Sequence, residues 1–161
     1  MQGQIDMTDF KALIFKVGEE EYGVHINQVI SIERMQEITS YPNRPAHVLG
    51  VTVMREVVTP LVDLRSALMG EALVPSDSCR IILVQVEDKQ IGLIVDAATD
   101  VLDIKLDTIQ HPNLLDSKDV SYLKGISKMD DRLIILLDME KLLEKTTNID
   151  ELKEIKEVFQ D

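Results

Sequence analysis

Tryptophan is absent and aromatic residues make up only 4% of the chain, so any core must be built from aliphatic side chains. There is one cysteine, Cys79, which excludes an internal disulfide and a multi-thiolate metal centre. It stands just before the strand-like run 81–84 and reads as a small buried residue. Positive charge is also scarce: 17 basic residues face 29 acidic ones, for a formal net charge of -12. That balance argues against non-specific nucleic-acid binding, which needs cations to neutralise phosphate. It argues equally against attachment to an anionic lipid surface. No apolar run approaches the roughly 18 residues that a spanning helix requires. The opening MQGQIDMTDF is polar, with no apolar segment of the kind a signal peptide carries. The expectation is a cytoplasmic protein with no direct membrane insertion.

What is present is a capacity to fold. Hydrophobic residues make up 45% of the 161 positions and charged ones 29%, enough for one ordinary domain or two small barrels that share a boundary. ALIFKV (12–17) and YGVHI (22–26) flank the acidic, glycine-containing turn 18–21 and read as a hairpin. NQVISIERM (27–35) fits either an extended segment or one helical turn that then straightens. SYPNRPAH (40–47), with two prolines, reads as a loop. GVTVMREVVTPLVDL (50–64) reads as two strands broken near Arg55 and Glu56, a charged pair at the centre of the most apolar stretch of the chain. A short helix is expected over 64–69 with Asp63 as its N-cap.

The second half then repeats the first. Gly92 follows Gly23 by 69 residues (92 − 23), Gly125 follows Gly50 by 75 (125 − 50), and Asp138 follows Asp63 by 75 (138 − 63). The growing offset places a longer loop within LDTIQHPNLLDSKDVS. Two related halves, each a hairpin, crossover segment, loop, hairpin and short helix, call for two small barrels with a shared seam, because so few strands cannot bury both faces of a flat sheet. At the end of the chain, Ile149, Leu152, Ile155 and Phe159 recur at helical spacing, which predicts a C-terminal amphipathic helix. The expected organisation is an N-terminal arm 1–10, a domain 11–145 with halves at about 12–79 and 80–145, and the helix within 146–161.

Signatures of catalysis are missing. There is no GxGxxG, P-loop, HExxH or GxSxG. His25, His47 and His111 show no ligand spacing and read as surface or satisfied residues. The run Asp96-Ala-Ala-Thr-Asp100-Val-Leu-Asp103 lacks the alternation and central glycine of a calcium loop and reads as a solvated turn and strand end. Asp63 and Asp138 are either a symmetric acid pair or two helix caps; capping is the reading taken. No metal, cofactor or catalytic residue is assigned, and a binding module is expected. A small enzyme using carboxylates in an inter-barrel cleft stands as an alternative, since a fold does not dictate chemistry.

Several blocks, in order, carry a resemblance: EEYGVHINQVISIERM, NRPAHVLGV, VVTPLVDLR, IGLIVDAATDVLDI, YLKGI and RLIILLDMEKLL. They closely resemble the CheW family of bacterial chemotaxis coupling proteins, over about Lys11 to Lys145. No receiver or kinase domain accompanies them, so the chain looks like the free-standing type. The resemblance implies a mostly β fold of two intertwined five-stranded SH3-like barrels with short helices. It implies a non-catalytic adaptor, without cofactor, between the signalling tips of methyl-accepting chemoreceptors and the regulatory domain of the histidine kinase CheA. It implies a cytoplasmic protein recruited to membrane chemoreceptor arrays. A same-fold adaptor of a non-chemotaxis receptor–kinase pathway is the alternative, prompted by one departure. Where the family turn reads Asn-Leu-Arg-Gly, this chain has Val53-Met54-Arg55-Glu56, and a wider or differently shaped turn is expected. The receptor-contact positions that the resemblance implies are Val29, Ile32, Gly50, Arg55, Gly92 and Gly125. No kinase-contact residue is assigned. Glycines at such positions also serve plain backbone purposes, and Glu56 is placed to pair with Arg55.

Overall fold

Residues 9–111 and 122–146 are described by a computed structural model. The predicted C-terminal helix and N-terminal arm lie almost wholly outside the described residues. The first half of the chain forms β1 (Phe10–Val17), β2 (Glu20–His25), a 3₁₀ turn (Ile26–Gln28), β3 (Val29–Arg34), β4 (Val48–Met54), β5 (Val57–Asp63) and α1 (Leu64–Met69). The second forms β6 (Arg80–Val86), β7 (Lys89–Val95), β8 (Ala97–Ile104), a 3₁₀ turn (Leu106–Thr108), β9 (Ile109–Gln110), β10 (Leu123–Met129), β11 (Arg132–Leu137) and α2 (Met139–Thr146). The ambiguous segment 27–35 is therefore a 3₁₀ turn that runs into a strand. The run 96–103 is a correction: it is nearly all strand, because it takes in the second half the place β3 takes in the first.

The sheets show how the halves combine. One runs β8-β1-β2-β11-β10-β9 and the other β3-β6-β7-β5-β4. Each sheet thus borrows the opening hairpin of the opposite half. β1–β2 joins the strands after residue 96, and β6–β7 joins β3, β4 and β5. The borrowed hairpin enters through a parallel pairing, β11 beside β2 and β5 beside β7. The two orders are equivalent strand for strand, except that the first gains the two-residue β9 as a sixth strand. That addition falls where the longer loop was expected. The ladders do not close into full rings; both sheets keep edge strands.

Alternation along the strands divides the aliphatic residues into three cores. Ala12, Ile14, Ile104, Ile134 and Leu136 fill the inside of one barrel. Met54, Leu61, Ile81, Leu83 and Ile94 fill the other. The largest cluster lies on the opposite faces, where the sheets meet: Leu13, Phe15 and Val24 from one side, Val62, Ile82, Val84 and Leu93 from the other. Each fully buried aliphatic side chain contributes about 1.5–3 kcal/mol, so the seam binds the two barrels into one unit. Cys79 is buried, with its thiol 3.6 Å from Ser76 Oγ and donating to the Val74 carbonyl at 3.8 Å.

Both helix caps take the form the sequence suggested. The Asp63 carboxylate is 1% exposed. It accepts from the N–H groups of Arg65 (3.0 Å), Ser66 (3.3 Å) and Leu73 (3.0 Å). Asp138 accepts from Lys141 N–H at 3.1 Å, at the head of α2. The bonds from Arg65, Ser66 and Lys141 satisfy donors that a helix start leaves without partners, and the one from Leu73 ties the segment after α1 back to the cap. The two acids are caps in separate places and not a catalytic pair.

Candidate functional site

The charged pair in the apolar stretch closes the β4–β5 hairpin. Met54 pairs directly with Val57, so Arg55 and Glu56 are the two central residues of a tight turn. Both have positive φ, 52° and 66°. A two-residue hairpin of this hand matches the twist of its strands and demands the left-handed region at both positions. Of the two expectations the wider turn is corrected, since the loop is as short as a hairpin allows; its shape does differ from type I, with positive φ at both central residues, and Glu56 bears the conformational cost that a glycine would relieve. Packing pins it in place. Met54 is buried. Gln90 Nε2 donates to the Met54 carbonyl at 2.9 Å and to Thr59 Oγ1 at 2.8 Å, and Thr59 Oγ1 donates to the Val57 carbonyl at 2.8 Å. The hairpin tip is thereby tied to the start of β7. Arg55 and Glu56 are exposed, and neither forms a hydrogen bond or ion pair with a described residue. The two do not pair with each other, and the guanidinium keeps all its donors for a partner.

Val29 and Ile32 lie three apart on a strand, a spacing that would put them on opposite faces under strict alternation. A bulge changes this. Val29 pairs with Val84 but Ser31 with Leu83, so β3 spends an extra residue, and Ile32 then pairs with Ile82. Val84 and Ile82 both point into the seam core, so Val29 and Ile32 share that face of the edge strand. Val29 packs on the seam cluster, while Ile32 is 45% exposed.

The three glycines are buried. A Cβ on Gly50 would overlap the Thr39 carbonyl oxygen where Thr39 bridges to Val51. On Gly92 it would lie 2.5 Å from Leu61 Cδ2 and 2.9 Å from Ile81 Cγ2. On Gly125 it would lie 2.7 Å from Ile109 Cγ2. Gly50 and Gly125 sit at equivalent bulges in β4 and β10. Gly50 and Gly92 flank Leu61 across β4, β5 and β7, whereas Gly125 belongs to the other sheet. Their burial and the absence of room for a side chain give each a packing role.

The remaining titratable groups of the described residues fall in separate places, one of them a cluster of three carboxylates. The His25 ring stacks on Phe10 at 4.9 Å, and its Nδ1 accepts from Asn27 N–H at 3.2 Å. Burial, then Lys124, hold it below the ordinary imidazole value. His47 Nδ1 and Ser66 Oγ are 2.6 Å apart beside a cavity of about 360 Å³ lined also by Arg44 and Asp63. The Asp63 carboxylate there is occupied by three N–H donors and does not orient the imidazole, so the triad geometry of a nucleophilic serine is missing. Glu87, Glu140 and Glu144 bring carboxylate oxygens within 4.8 Å of one another, all exposed. The Lys89 ammonium sits 3.2 Å from Glu87 and neutralises part of the charge. Hydrogen bonding with Glu87, then desolvation, raise the Glu140 carboxyl above its ordinary value, as neighbouring like charges require. A second cleft, of about 420 Å³, is lined by Gln36, Glu37, Thr39 and Val51–Val53 beside the Arg55 hairpin. Val53 is 62% exposed there. Sequence reading missed this cleft and the Gln90 brace, because both depend on which strand lies next to which.

A family model described as a CheW-like domain matches residues 11–147. The chain belongs to the CheW-like family. It is 34% identical over 143 residues to the chemotaxis protein CheW of Bacillus subtilis, covering 88% of this chain and 91% of that one. It is 33% identical over 132 residues to CheW of Klebsiella aerogenes, covering 81% and 80%. Among solved structures, the scaffolding protein TtCheW from Thermoanaerobacter tengcongensis superposes with a TM-score of 0.75 at 31% identity, over 84% of this chain and 88% of that one. CheW-like membership carries a role as a scaffold protein of chemotaxis and not as an enzyme. No helix among the described residues is long and apolar enough to cross a membrane.

Proposed function

We propose that this chain is a non-catalytic adaptor that couples the signalling tips of chemoreceptors to the regulatory domain of the kinase CheA, in the cytoplasm at membrane-anchored receptor arrays. The observation that carries the reading is Arg55. In a chain of net charge -12, a braced hairpin tip presents a guanidinium that no described residue neutralises. A fixed planar fork of donors suits the carboxylates and free carbonyls of a partner helix. Val29 and Ile32 supply the apolar contact that a helix in a groove requires. Gly50 and Gly92 act in this reading by letting the backbone pack closely within the sheet that carries these contacts, and Gly125 allows the same close approach in the other sheet.

The test is titration of a receptor signalling-tip fragment, and separately of a CheA regulatory domain, against the wild-type chain and Arg55→Ala. Receptor affinity should fall about fivefold or more, equivalent to about 1 kcal/mol, with kinase affinity unchanged. A wild-type chain that bound neither partner would overturn the adaptor reading. If both partners bound and Arg55→Ala changed nothing, the reading would lose its charged contact and rest on Val29 and Ile32 alone.

A further inference from the structure

The face of β3 that carries Val29 and Ile32 continues into positive charge. Along the β3–β6 ladder, Val29 pairs with Val84, Ile32 with Ile82 and Arg34 with Arg80. The β6 partners are spaced two apart, so all point to the same side. Arg34 and Arg80 therefore stand directly opposite each other at the end of the apolar stripe. Arg34 is exposed and makes no hydrogen bond or ion pair with a described residue. Arg80 is half-buried and donates through Nη1 to the carbonyls of Asp77 (2.9 Å) and Cys79 (2.8 Å), with no carboxylate in reach among the described residues.

Lys11, Arg65, Lys89, Lys105 and Arg132 each hold a carboxylate, whereas Arg34 and Arg80, like Arg55 at the hairpin tip, hold none among the described residues. Like charges opposite each other on neighbouring strands destabilise a sheet. Two arginines paired Cα to Cα across the ladder, neither holding a carboxylate of a described residue in a chain rich in acids, mark a place that takes its counter-charge from outside.

We propose that Arg34 and Arg80 form a carboxylate-recognition site that extends the apolar stripe, and that its occupant is an acidic stretch of the receptor helix seated on Val29 and Ile32. The proposal rests on the adaptor reading above and specifies the chemistry of the partner. Ile32 and Arg34 are two strand residues apart, roughly 6–7 Å. One turn of a helix rises about 5.4 Å. The matching helix carries an apolar residue over Ile32 and an aspartate or glutamate three or four positions away. Guanidinium–carboxylate pairing in this fork geometry adds orientation as well as attraction.

The experiment measures binding of the receptor signalling-tip fragment and of the CheA regulatory domain to wild type, Arg34→Gln and the Arg34→Gln/Arg80→Gln double variant, at low and high salt, with a melting curve for each. Arg34→Gln removes an exposed side chain with no described bond, so the fold survives it. The expected result is receptor affinity weakened about tenfold in the double variant, with a flatter salt dependence. Kinase affinity should hold, and the Arg34→Gln melting temperature should be equal to or above wild type because the repulsion is relieved. Changing the receptor fragment's acidic residues to their amides should produce the same loss. Unchanged receptor affinity and salt dependence in both variants would overturn the site, as would a loss confined to the kinase domain. If wild type bound neither partner, the adaptor reading itself would fail, which is a distinct result.

Discussion

Replacing Gly92 with alanine tests whether the buried glycines serve packing or contact. The added Cβ would sit 2.5 Å from Leu61 Cδ2 and 2.9 Å from Ile81 Cγ2. Carbon atoms prefer about 3.5–4.0 Å, so Leu61 must retreat by about 1 Å. It has nowhere to go: Leu61 and Ile81 are both 0% exposed in a core shared with Leu83 and Ile94. Overpacking of this kind costs about 1–3 kcal/mol. Gly→Ala returns about 0.5–1 kcal/mol by restricting the unfolded chain, leaving a net loss of about 1–2 kcal/mol. For a chain of this size each kcal/mol moves the melting temperature by about 2–4 °C, so a fall of about 2–8 °C is expected in a thermal melt. The repeat supplies an internal control. Gly23 is the equivalent position in the other sheet, and a Cβ there would meet its three nearest neighbours at 3.2 Å. Gly23→Ala should therefore cost less. Equal melting of wild type and Gly92→Ala, or a larger loss at Gly23, would refute the packing argument. So would weakened receptor binding by Gly92→Ala at a temperature where it is fully folded and as stable as wild type, because that would make the glycine a contact.

Three other perturbations follow from the geometry. Glu56→Gly relieves a left-handed residue that carries a Cβ and should stabilise the fold by about 1 kcal/mol, read as a higher denaturation midpoint; an unchanged midpoint would mean the turn is unstrained. Asp63→Ala orphans three N–H donors at a buried cap and should cost about 2 kcal/mol, with Asp63→Asn recovering part of it; melting curves distinguish the two variants. The Glu21 carboxyl is held below its ordinary value of 4.5 chiefly by its hydrogen bond with Arg132, which outweighs the opposing, upward effect of desolvation. A depressed folded value means stabilisation present above pH 4.5 and lost as pH falls through the folded value. Because both side chains are partly solvated, with exposures of 34% and 19%, the pair contributes no more than about 1 kcal/mol. Arg132→Gln should therefore lower the midpoint near neutral pH and converge with wild type in acid, which denaturation at a series of pH values would check.

Local patterns were enough to reveal much of this protein. The hairpins and the Asp63 and Asp138 caps depend on residues within a few positions of one another, where spacing and turn chemistry act directly, and the two-fold repeat shows because the same short patterns recur 69–75 residues later. The ordered blocks from Lys11 onward were enough for the family. Tertiary structure decided everything that depends on which strand lies beside which. Sequence order suggests two consecutive barrels, but burial of both faces of each opening hairpin is completed by the opposite half, so the hairpins cross over. The turn at Arg55 is tight despite unfavourable residues because Gln90, 35 positions away (90 − 55), braces it. Val29 and Ile32 share a face only because a bulge shifts the register against β6. Arg34 and Arg80, 46 positions apart (80 − 34), oppose each other for the same reason. Register between distant strands is set by the sum of many packing contacts across the seam, and no short stretch of sequence contains that sum.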